Sequence, residues 1–322
     1  MNLRNKILLA IFALGTIVGC DSLIYDDLKD CPQGVYVSFY SKTPCAEDST
    51  FIGDVSDLYL FAFDENNILA GSTFLKNASL TRDYHILMPL KQGYYTFVAW
   101  TGINDLFDIP SFKTGATKKT DLMLTLRAQN NQVKALGTHK VWQGASPSVM
   151  LPSTEKEGSI YKYTAVNLQE VTNRINVEIA IHESIREKVN PQDFAVEITS
   201  ANGKMNIDRR IVGGSDVLNY PASIDYTSSS LKASFTLMDL KMGYNSMITL
   251  RNTKTNEIIW QSDLIGSILL KLPNVNLDCR NDFNVKFEIK DKCLDCYTFI
   301  CWAIYVNNWQ IHSYETELGD GY

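Results

Sequence analysis

The stretch that decides the fold is INVEIAI, residues 175–181. Branched apolar residues occupy every second position of it: Ile175, Val177, Ile179 and Ile181. A period of two is typical of a β-strand with one buried face. Similar alternation recurs in residues 35–39, 58–63, 122–126, 194–198, 285–289 and 300–306. The chain is therefore built from many short strands.

Turn signals separate these strands. Polar clusters at residues 64–67, 252–256 and 307–308 end apolar runs. Lys91-Gln92-Gly93 lies between the runs 86–90 and 94–100, and Asn202-Gly203 follows the strand at 194–198, so we predict hairpins at both. Short strands with a turn every ten residues or so favour antiparallel β-sandwiches over βαβ units. We predict an all-β fold.

The N-terminus predicts a lipoprotein signal peptide. Arg4 and Lys6 precede an apolar run that ends at Val18, and Ile17-Val18-Gly19-Cys20 resembles a lipobox. Ile7 to Val18 is twelve residues, whereas a spanning helix needs about 20. We therefore predict cleavage between Gly19 and Cys20, with lipid on Cys20. The predicted organisation is a signal peptide (1–19), a lipidated tether (20–30) and two domains (31–165 and 166–322), separated near the polar loop 153–158.

Composition narrows the functional classes. The 322-residue chain is 45% hydrophobic and 20% charged, which suits ordinary globular domains. Its net charge of -6 and isoelectric point near 5.3 argue against nucleic acid as a partner, because phosphate binding needs clustered Lys and Arg. Beyond Val18 no segment is long enough to cross a membrane, so the mature protein should be soluble apart from its lipid.

The cysteines predict disulfides. Seven cysteines less Cys20 leave six candidates in an oxidising compartment: Cys31, Cys45, Cys279, Cys293, Cys296 and Cys301. Four of them form a C-terminal cluster, and we expect at least one disulfide within it, although the sequence cannot choose the pairing. Cys293-Leu-Asp-Cys296 could also suggest a zinc or redox pair, but the sequence lacks a second closely spaced pair to complete a zinc site.

No catalytic pattern is recognisable. His182-Glu183 starts like a zinc-protease motif but lacks the second histidine, and the sequence has no nucleophile elbow, phosphate loop or dinucleotide fingerprint. We therefore predict no enzyme, metal or cofactor. Trp100, Trp260 and Trp302 lie in apolar patterns that favour core packing. For Trp142 and Trp309 the sequence does not choose between core packing and a surface that stacks on a sugar.

Several motifs carry a family resemblance. They are residues 25–28 (YDDL), 31–39 (CPQGVYVSF), 58–64 (LYLFAFD), 90–100 (LKQGYYTFVAW), 173–177 (NRINV) and 306–309 (VNNW). In this order they resemble the fimbrillin-A-associated anchor lipoproteins of type V fimbriae, over nearly the whole mature chain. The stretch 113–137 carries no such motif.

The resemblance implies two tandem transthyretin-like antiparallel β-sandwich domains. It also implies a structural lipoprotein at the outer membrane and cell surface that anchors or terminates a fimbria. Its partners would be shaft or minor subunits, joined by donation of a β-strand to an open sheet edge. The acidic residues Asp21, Asp26 and Asp27 resemble surface-export signals, with a solvated tether as the alternative.

Arginine placement suggests an anchor rather than a shaft subunit. In the resembled system an arginine-directed protease removes the lipid and first strand of shaft subunits. Here the first arginine after Cys20 is Arg82, although Lys29, Lys42 and Lys76 precede it. A cut at Arg82 would discard the strands at 35–40 and 58–63, so we expect both to be retained. Two alternatives stay open: a surface glycan-binding lipoprotein with an exposed aromatic row, and a hydrolase with carboxylates converging in a pocket.

Overall fold

The structure, a computed structural model, describes residues 31–292 and 298–314. Strands dominate it, which confirms the all-β prediction. The helical segments are short: α1 (Thr154–Glu157) and 3-10 turns at Lys119–Asp121, Glu183–Ile185, Pro191–Asp193 and Leu269–Lys271. Within the described ranges, none of the helices has the length and apolar character to span a bilayer.

The first half of the chain supplies twelve strands. They are β1 (Gly34–Tyr40), β2 (Gly53–Phe63), β3 (Leu69–Leu80), β4 (His85–Pro89), β5 (Gly93–Thr101), β6 (Phe107–Asp108), β7 (Met123–Leu126), β8 (Ala128–Gln129), β9 (Gln132–Val133), β10 (Trp142–Ala145), β11 (Val149–Leu151) and β12 (Tyr161–Glu170).

The second half supplies the rest. They are β13 (Thr172–Ile181), β14 (Phe194–Ser200), β15 (Lys204–Asn206), β16 (Leu218–Tyr220), β17 (Ser223–Tyr226), β18 (Ser230–Met238), β19 (Met247–Asn252), β20 (Glu257–Asp263), β21 (Asp282–Lys292), β22 (Phe299–Val306) and β23 (Trp309–Ser313).

The N-terminal sheet has the order β3-β2-β5-β10-β12-β1-β4, with β11 paired to β5. Its two end strands approach each other without pairing: the Thr73 hydroxyl of β3 donates to the Met88 sulfur of β4 at 3.1 Å. The sheet therefore curls around a core of its own, to which β1, β2 and β5 contribute alternate side chains such as Val37, Leu60 and Phe97. Alternation in these strands follows from having one side chain in every two inside this core.

Two six-stranded sheets form the C-terminal lobe. The front sheet has the order β17-β18-β13-β21-β22-β23, and the back sheet has the order β20-β19-β14-β16-β9-β8. The face of β13 that carries Ile175, Val177 and Ile179 is buried between them. The same apolar cluster continues over the outer face of the N-terminal sheet, where it includes Phe61 and Trp100. The outer face of the N-terminal sheet is thus part of the core of the C-terminal lobe, while the inner face surrounds a second, separate core.

Each half of the chain also supplies a strand that pairs with a strand of the other half. β9, from the first half, joins the back sheet beside β16, and β15, from the second half, pairs with β7 in a small sheet of order β15-β7-β6. β12 runs through the predicted boundary at 165/166 and pairs with the N-terminal sheet as far as Glu170. The sheet therefore changes at Val171, between β12 and β13. The division into two tandem transthyretin-like domains stays a prediction.

Strand direction departs from the expected antiparallel pattern at three places. β1 pairs with β12 in parallel, β13 with β21 in parallel, and β9 with β16 in parallel. The partners of each pair are far apart in sequence, so hairpin geometry does not constrain their direction. Alternation alone predicts a strand and is silent about the direction of its neighbour.

Two predicted hairpins are wrong. β4 pairs with β1 while β5 pairs with β2, β10 and β11, so Lys91-Gln92-Gly93 carries the chain across the core. After Asn202-Gly203, β15 pairs with β7 and not with β14. Asn202 is buried: its Nδ2 donates to the carbonyls of Met238 and Asp239, each at 3.0 Å. This asparagine satisfies the backbone of another strand instead of forming a tight turn.

Two other hairpins are as predicted. β19 pairs with β20 around the polar turn at 253–256, and β22 pairs with β23 around Asn307-Asn308. Both asparagines of the second turn have positive φ, 47° and 67°, which suits a two-residue hairpin turn. A register shift in β22 buries Cys301 and Ala303 and turns Trp302 outward, where Lys290 Nζ lies 3.6 Å from the ring centroid.

Candidate anchoring and assembly surfaces

The first strand is an interior strand of the N-terminal sheet. β1 pairs with β12 on one side and with β4 on the other. Its core-facing residues Val35 and Val37 have no exposed surface, and Phe39 is only 2% exposed. The chain therefore fills this position of the sheet with its own N-terminal segment. The first residue of the strand, Gly34, has to be a glycine, because a Cβ there would lie 2.5 Å from the carbonyl oxygen of Met88.

The segment after β1 is fastened to both lobes. The Lys42 backbone N–H donates to Asn167 Oδ1 at 2.8 Å, and Asn167 Nδ2 donates back to the Lys42 carbonyl at 2.9 Å. Three residues later, a disulfide joins Cys45 to Cys279, with the Cα atoms 5.8 Å apart. Because Cys279 lies three residues before β21, the disulfide joins the segment after the first strand to the C-terminal lobe.

Two arginines hold the junction between the lobes. Arg174, from the motif at 173–177, bonds Glu170 at the end of β12 and Asp282 at the start of β21. The hydrogen bond from Arg174 lowers the pKa of Asp282 and, from the other side, raises the pKa of Arg174. Arg209 bonds Asp239 at 3.1 Å and also donates to the side-chain oxygen of Gln169 in β12. The motif at 173–177 is therefore structural, because the guanidinium of Arg174 joins its own strand, β13, to β12 and β21.

The remaining family motifs are also structural. Residues 31–39 form β1 and the turn before it, 58–64 form β2, and 90–100 form the turn and strand of β5. Residues 306–309 form the β22–β23 turn. The motif at 25–28 lies outside the described residues, as do Gly19, Cys20 and the acidic residues of the tether.

The other candidate cysteines divide into two groups. Cys31 is a half-buried free thiol, and Cys301 is a buried free thiol whose pKa is raised to about 12 by burial. Cys293 and Cys296 lie outside the described residues. Cys279 is bonded to Cys45, so a disulfide within the C-terminal cluster could only join Cys293 to Cys296, and that part stays a prediction.

One edge of the front sheet is open and apolar. β17 pairs with β18 and, among the described residues, has no strand on its other side. Ile224 and Tyr226 pair with Ala233 and Leu231, which are each 1% exposed and face the core. Ile224 and Tyr226 are nevertheless 49% and 42% exposed, so the core-facing side of this edge is uncovered. An added strand would cover them.

β17 was not predicted from the sequence. Its length is four residues, too short for a periodicity signal, and it follows Pro221. The one usable signal was the alternation of Tyr220, Ala222, Ile224 and Tyr226. That pattern alone would have predicted that Ile224 and Tyr226 are buried. Their exposure depends on where the back sheet ends, which a local pattern does not contain.

The tryptophans differ in burial. Trp100 is completely buried, as predicted, while Trp142, Trp260 and Trp302 are half-buried and Trp309 is 55% exposed. Among the aromatic side chains, the exposed Tyr163 stacks on the half-buried Tyr36 at a centroid distance of 5.2 Å, with 19° between their planes. Each ring thus covers one face of the other, so they do not form a flat platform with open faces.

The clefts do not have the form of an active site. Two open clefts of about 720 and 530 Å³ flank the β8–β9 hairpin, and Arg127 lines both. Asp108, in the larger cleft, is paired with Arg127 at 2.6 Å. Residues 31–292 and 298–314 contain no group of three or more His, Cys, Asp or Glu side chains that could hold a metal ion.

Two sequence comparisons indicate the family of this chain. A sequence profile described as "Fimbrillin-A associated anchor proteins Mfa1 and Mfa2" matches residues 28–315. The minor fimbrium anchoring subunit Mfa2 of Porphyromonas gingivalis is 34% identical over 325 residues, covering 99% of this chain and 98% of that protein.

Solved structures agree. The structure of the fimbrial anchor protein Mfa2 from P. gingivalis matches with a TM-score of 0.80 and 31% identity, over 88% of this chain and all of that one. A candidate polysaccharide-binding protein of Bacteroides thetaiotaomicron matches with a TM-score of 0.71 and 20% identity, over 89% of this chain and 99% of that one. The second likeness shows a shared fold only.

The all-β fold and these relatives define a structural protein of fimbriae and not an enzyme. The chain belongs to the family of fimbrillin-A associated anchor proteins.

Proposed function

We propose that this protein is a lipoprotein that anchors or terminates a fimbria at the outer membrane. The observation that supports this most is the position of β1, which is paired on both sides and buries Val35, Val37 and Phe39. A subunit that keeps its first strand has no vacancy there for the strand of a following subunit. It also keeps the segment that leads back to Cys20. Retention of both suits the membrane end of a fibre and not its repeating part.

Lipid on Cys20 is the first expected result. The signal peptide, the lipobox and the retained N-terminal segment all support it. Replacing Cys20 with Ala should shift the protein from the membrane fraction to the soluble fraction, or leave it uncleaved. The control is Cys31→Ala, which removes the next cysteine of the chain and should leave the membrane fraction unchanged. Mass spectrometry that finds an unmodified Cys20 in the mature wild-type protein would contradict the proposal.

The assembly contact that we propose is addition of a subunit's β-strand to the edge of β17. This edge offers unpaired backbone groups, and Ile224 and Tyr226 offer an uncovered apolar surface on its core-facing side. A donated strand would pair with the backbone and place every second side chain over these two residues. The edge thus supplies both parts of β-augmentation, hydrogen bonds for affinity and an apolar surface for specificity.

Substitutions at this edge test the contact. The double variant Ile224→Glu/Tyr226→Glu places two charges where a donated strand would bury apolar groups, so we expect fimbriae to detach into the medium. Both side chains are exposed, so the fold should survive. The control is Ser223→Glu/Asp225→Glu, on the opposite face of the same strand. Fimbriae that stay attached in the Ile224/Tyr226 variant would exclude β17 as the acceptor, while the role of the lipid would be unaffected.

A further inference from the structure

Five exposed apolar side chains surround the end of the N-terminal lobe at which the chain enters from the tether. We define this set as the proximal rim: Leu87, Tyr94, Met150, Tyr161 and Tyr163. Tyr163 is 74% exposed, Tyr94 53% and Met150 47%. Single exposed apolar residues are ordinary, but a group at one end of a lobe indicates a contact surface.

Strand pairing places these residues at the same end. Gly34, where β1 begins, pairs with Tyr161 of β12, and its N–H donates to the Ile160 carbonyl at 3.1 Å. One step along, Leu87, Tyr36 and Tyr163 lie side by side on neighbouring strands.

The other two members lie across the core from these strands. Met150 pairs with Tyr94, directly beside Leu151 and Gly93. Gln33 connects this pair to the start of β1: with its amide oriented to satisfy both neighbours, it donates to the Pro152 carbonyl at 2.9 Å and accepts from the Gln92 N–H at 3.0 Å. The rim therefore encircles the point at which the tether joins the fold.

We infer that the proximal rim rests on the membrane, with its tyrosines at the polar–apolar interface. This inference rests on the proposed lipid at Cys20. From Cys20 to Gly34 is 14 residues, which can span at most about 50 Å, so a lipid on Cys20 would hold this end of the lobe within that distance of the bilayer. A tethered surface has a high effective concentration, so contacts too weak to bind alone become occupied.

The chemistry of the rim suits a lipid interface. Tyrosine has an apolar ring and a polar hydroxyl, and it is enriched where membrane meets water. Tyr36 contacts both Tyr161 and Tyr163, with ring centroids 5.6 and 5.2 Å away, so the three rings form one apolar cluster. Lys162, between Tyr161 and Tyr163, is exposed and can reach lipid headgroups while its stem covers apolar surface.

Footprinting on vesicles tests the inference. Residues 1–20 are replaced by a polyhistidine tag, and the chain is bound to phosphatidylcholine vesicles that carry a nickel-chelating lipid. Hydroxyl radicals then label exposed side chains, and mass spectrometry compares the bound protein with the free one. We expect Tyr94, Tyr161 and Tyr163 to be oxidised several-fold more slowly on vesicles. Tyr226 and Trp309, exposed on the C-terminal lobe, are internal controls and should react at the same rate.

The tagged design separates this inference from the proposed function. Equal oxidation of the rim on and off vesicles overturns the inference, even where mass spectrometry of the native protein finds lipid on Cys20. Protection of the rim supports the membrane contact, because the tag supplies the tether in this experiment. If mass spectrometry of the native protein then finds Cys20 unmodified, the proposed lipid anchor fails although the rim has affinity for a membrane. Tyr161→Ser/Tyr163→Ser should abolish the protection of Tyr94, whereas Ile224→Ser/Tyr226→Ser should preserve it. Protection by added fimbrial subunits and not by vesicles would assign the rim to a protein partner and overturn the membrane contact.

Discussion

A mature chain that begins at Ser41, and so lacks β1, should fail to fold its N-terminal lobe. Val35, Val37 and Phe39 are buried at the centre of that lobe's core, and each contributes about 1.5–3 kcal/mol by leaving water. Together they contribute roughly 5–9 kcal/mol, before the loss of pairing to β4 and β12 is counted. Most domains are stable by only about 5–15 kcal/mol in total. Removing the strand therefore costs most or all of the stability of the lobe.

Urea unfolding followed by circular dichroism measures this effect, with a chain that begins at Cys31 as the matched control. The milder variant Val37→Asp should be strongly destabilised as well, because it buries a charge with no partner. A chain that begins at Ser41 and unfolds at the same urea concentration as the control would contradict the role assigned to β1.

A peptide can then test what the vacant position accepts. Adding residues 33–41 as a synthetic peptide should restore much of the lost stability, since it can pair with β4 and β12 and refill the core. A peptide with Val37→Asp should restore little. This pair of peptides distinguishes a specific strand from a general effect of added peptide, and it measures how well the fold can take a strand in trans.

Opening the disulfide between Cys45 and Cys279 should give the second large effect. The two cysteines are 234 residues apart, and a loop of that length lowers the entropy of the unfolded chain by an amount worth about 5 kcal/mol in the chain-entropy account. Part of that is often lost to compensating effects, so we expect a decrease in the free energy of unfolding of roughly 2–5 kcal/mol. The variants are Cys45→Ser and Cys279→Ser, measured by denaturant unfolding.

The control for the disulfide is Cys31→Ser, since Cys31 is a free, half-buried thiol. The double variant Cys45→Ser/Cys279→Ser should be no less stable than either single variant, because each single change already breaks the bond. Wild-type protein in reducing agent should match the variants. An unchanged unfolding midpoint in both single variants, the double variant and reduced wild-type protein would show that the bond is absent or contributes nothing.

The disulfide also affects the path by which a pulling force would pass through the protein. If the fibre pulls on the C-terminal lobe and the lipid holds the N-terminus, tension passes from the tether through β1 to Cys45 and then directly to Cys279. If the fibre is held at β17, the covalent path then runs back along the chain from Cys279 to that strand, and residues 46–222 are bypassed.

Local patterns alone were enough to place about half of the strands, although they missed the long strands β3, β12 and β18. The alternation in β1, β2, β13 and β14 predicts the buried face of each, because the side-chain period of a strand is a property of its own backbone. The β19–β20 and β22–β23 hairpins were predictable for the same reason: a tight turn and its two strands lie within one short segment. The lipobox, too, is a local signal.

The partners of the strands were decided only by the tertiary structure. The ends of the strands near 91–93 and 202–203 were recognised, but the hairpins predicted there were wrong, because whether two flanking strands pair depends on which sheet has room for them. The direction of β1 beside β12 and the choice of Cys279 as the partner of Cys45 join residues more than a hundred positions apart. Such contacts depend on loop closure and on the packing of the whole core, and no short window contains that information. The uncovered edge at β17 and the proximal rim arise in the same way, because the exposure of a side chain depends on where another sheet ends.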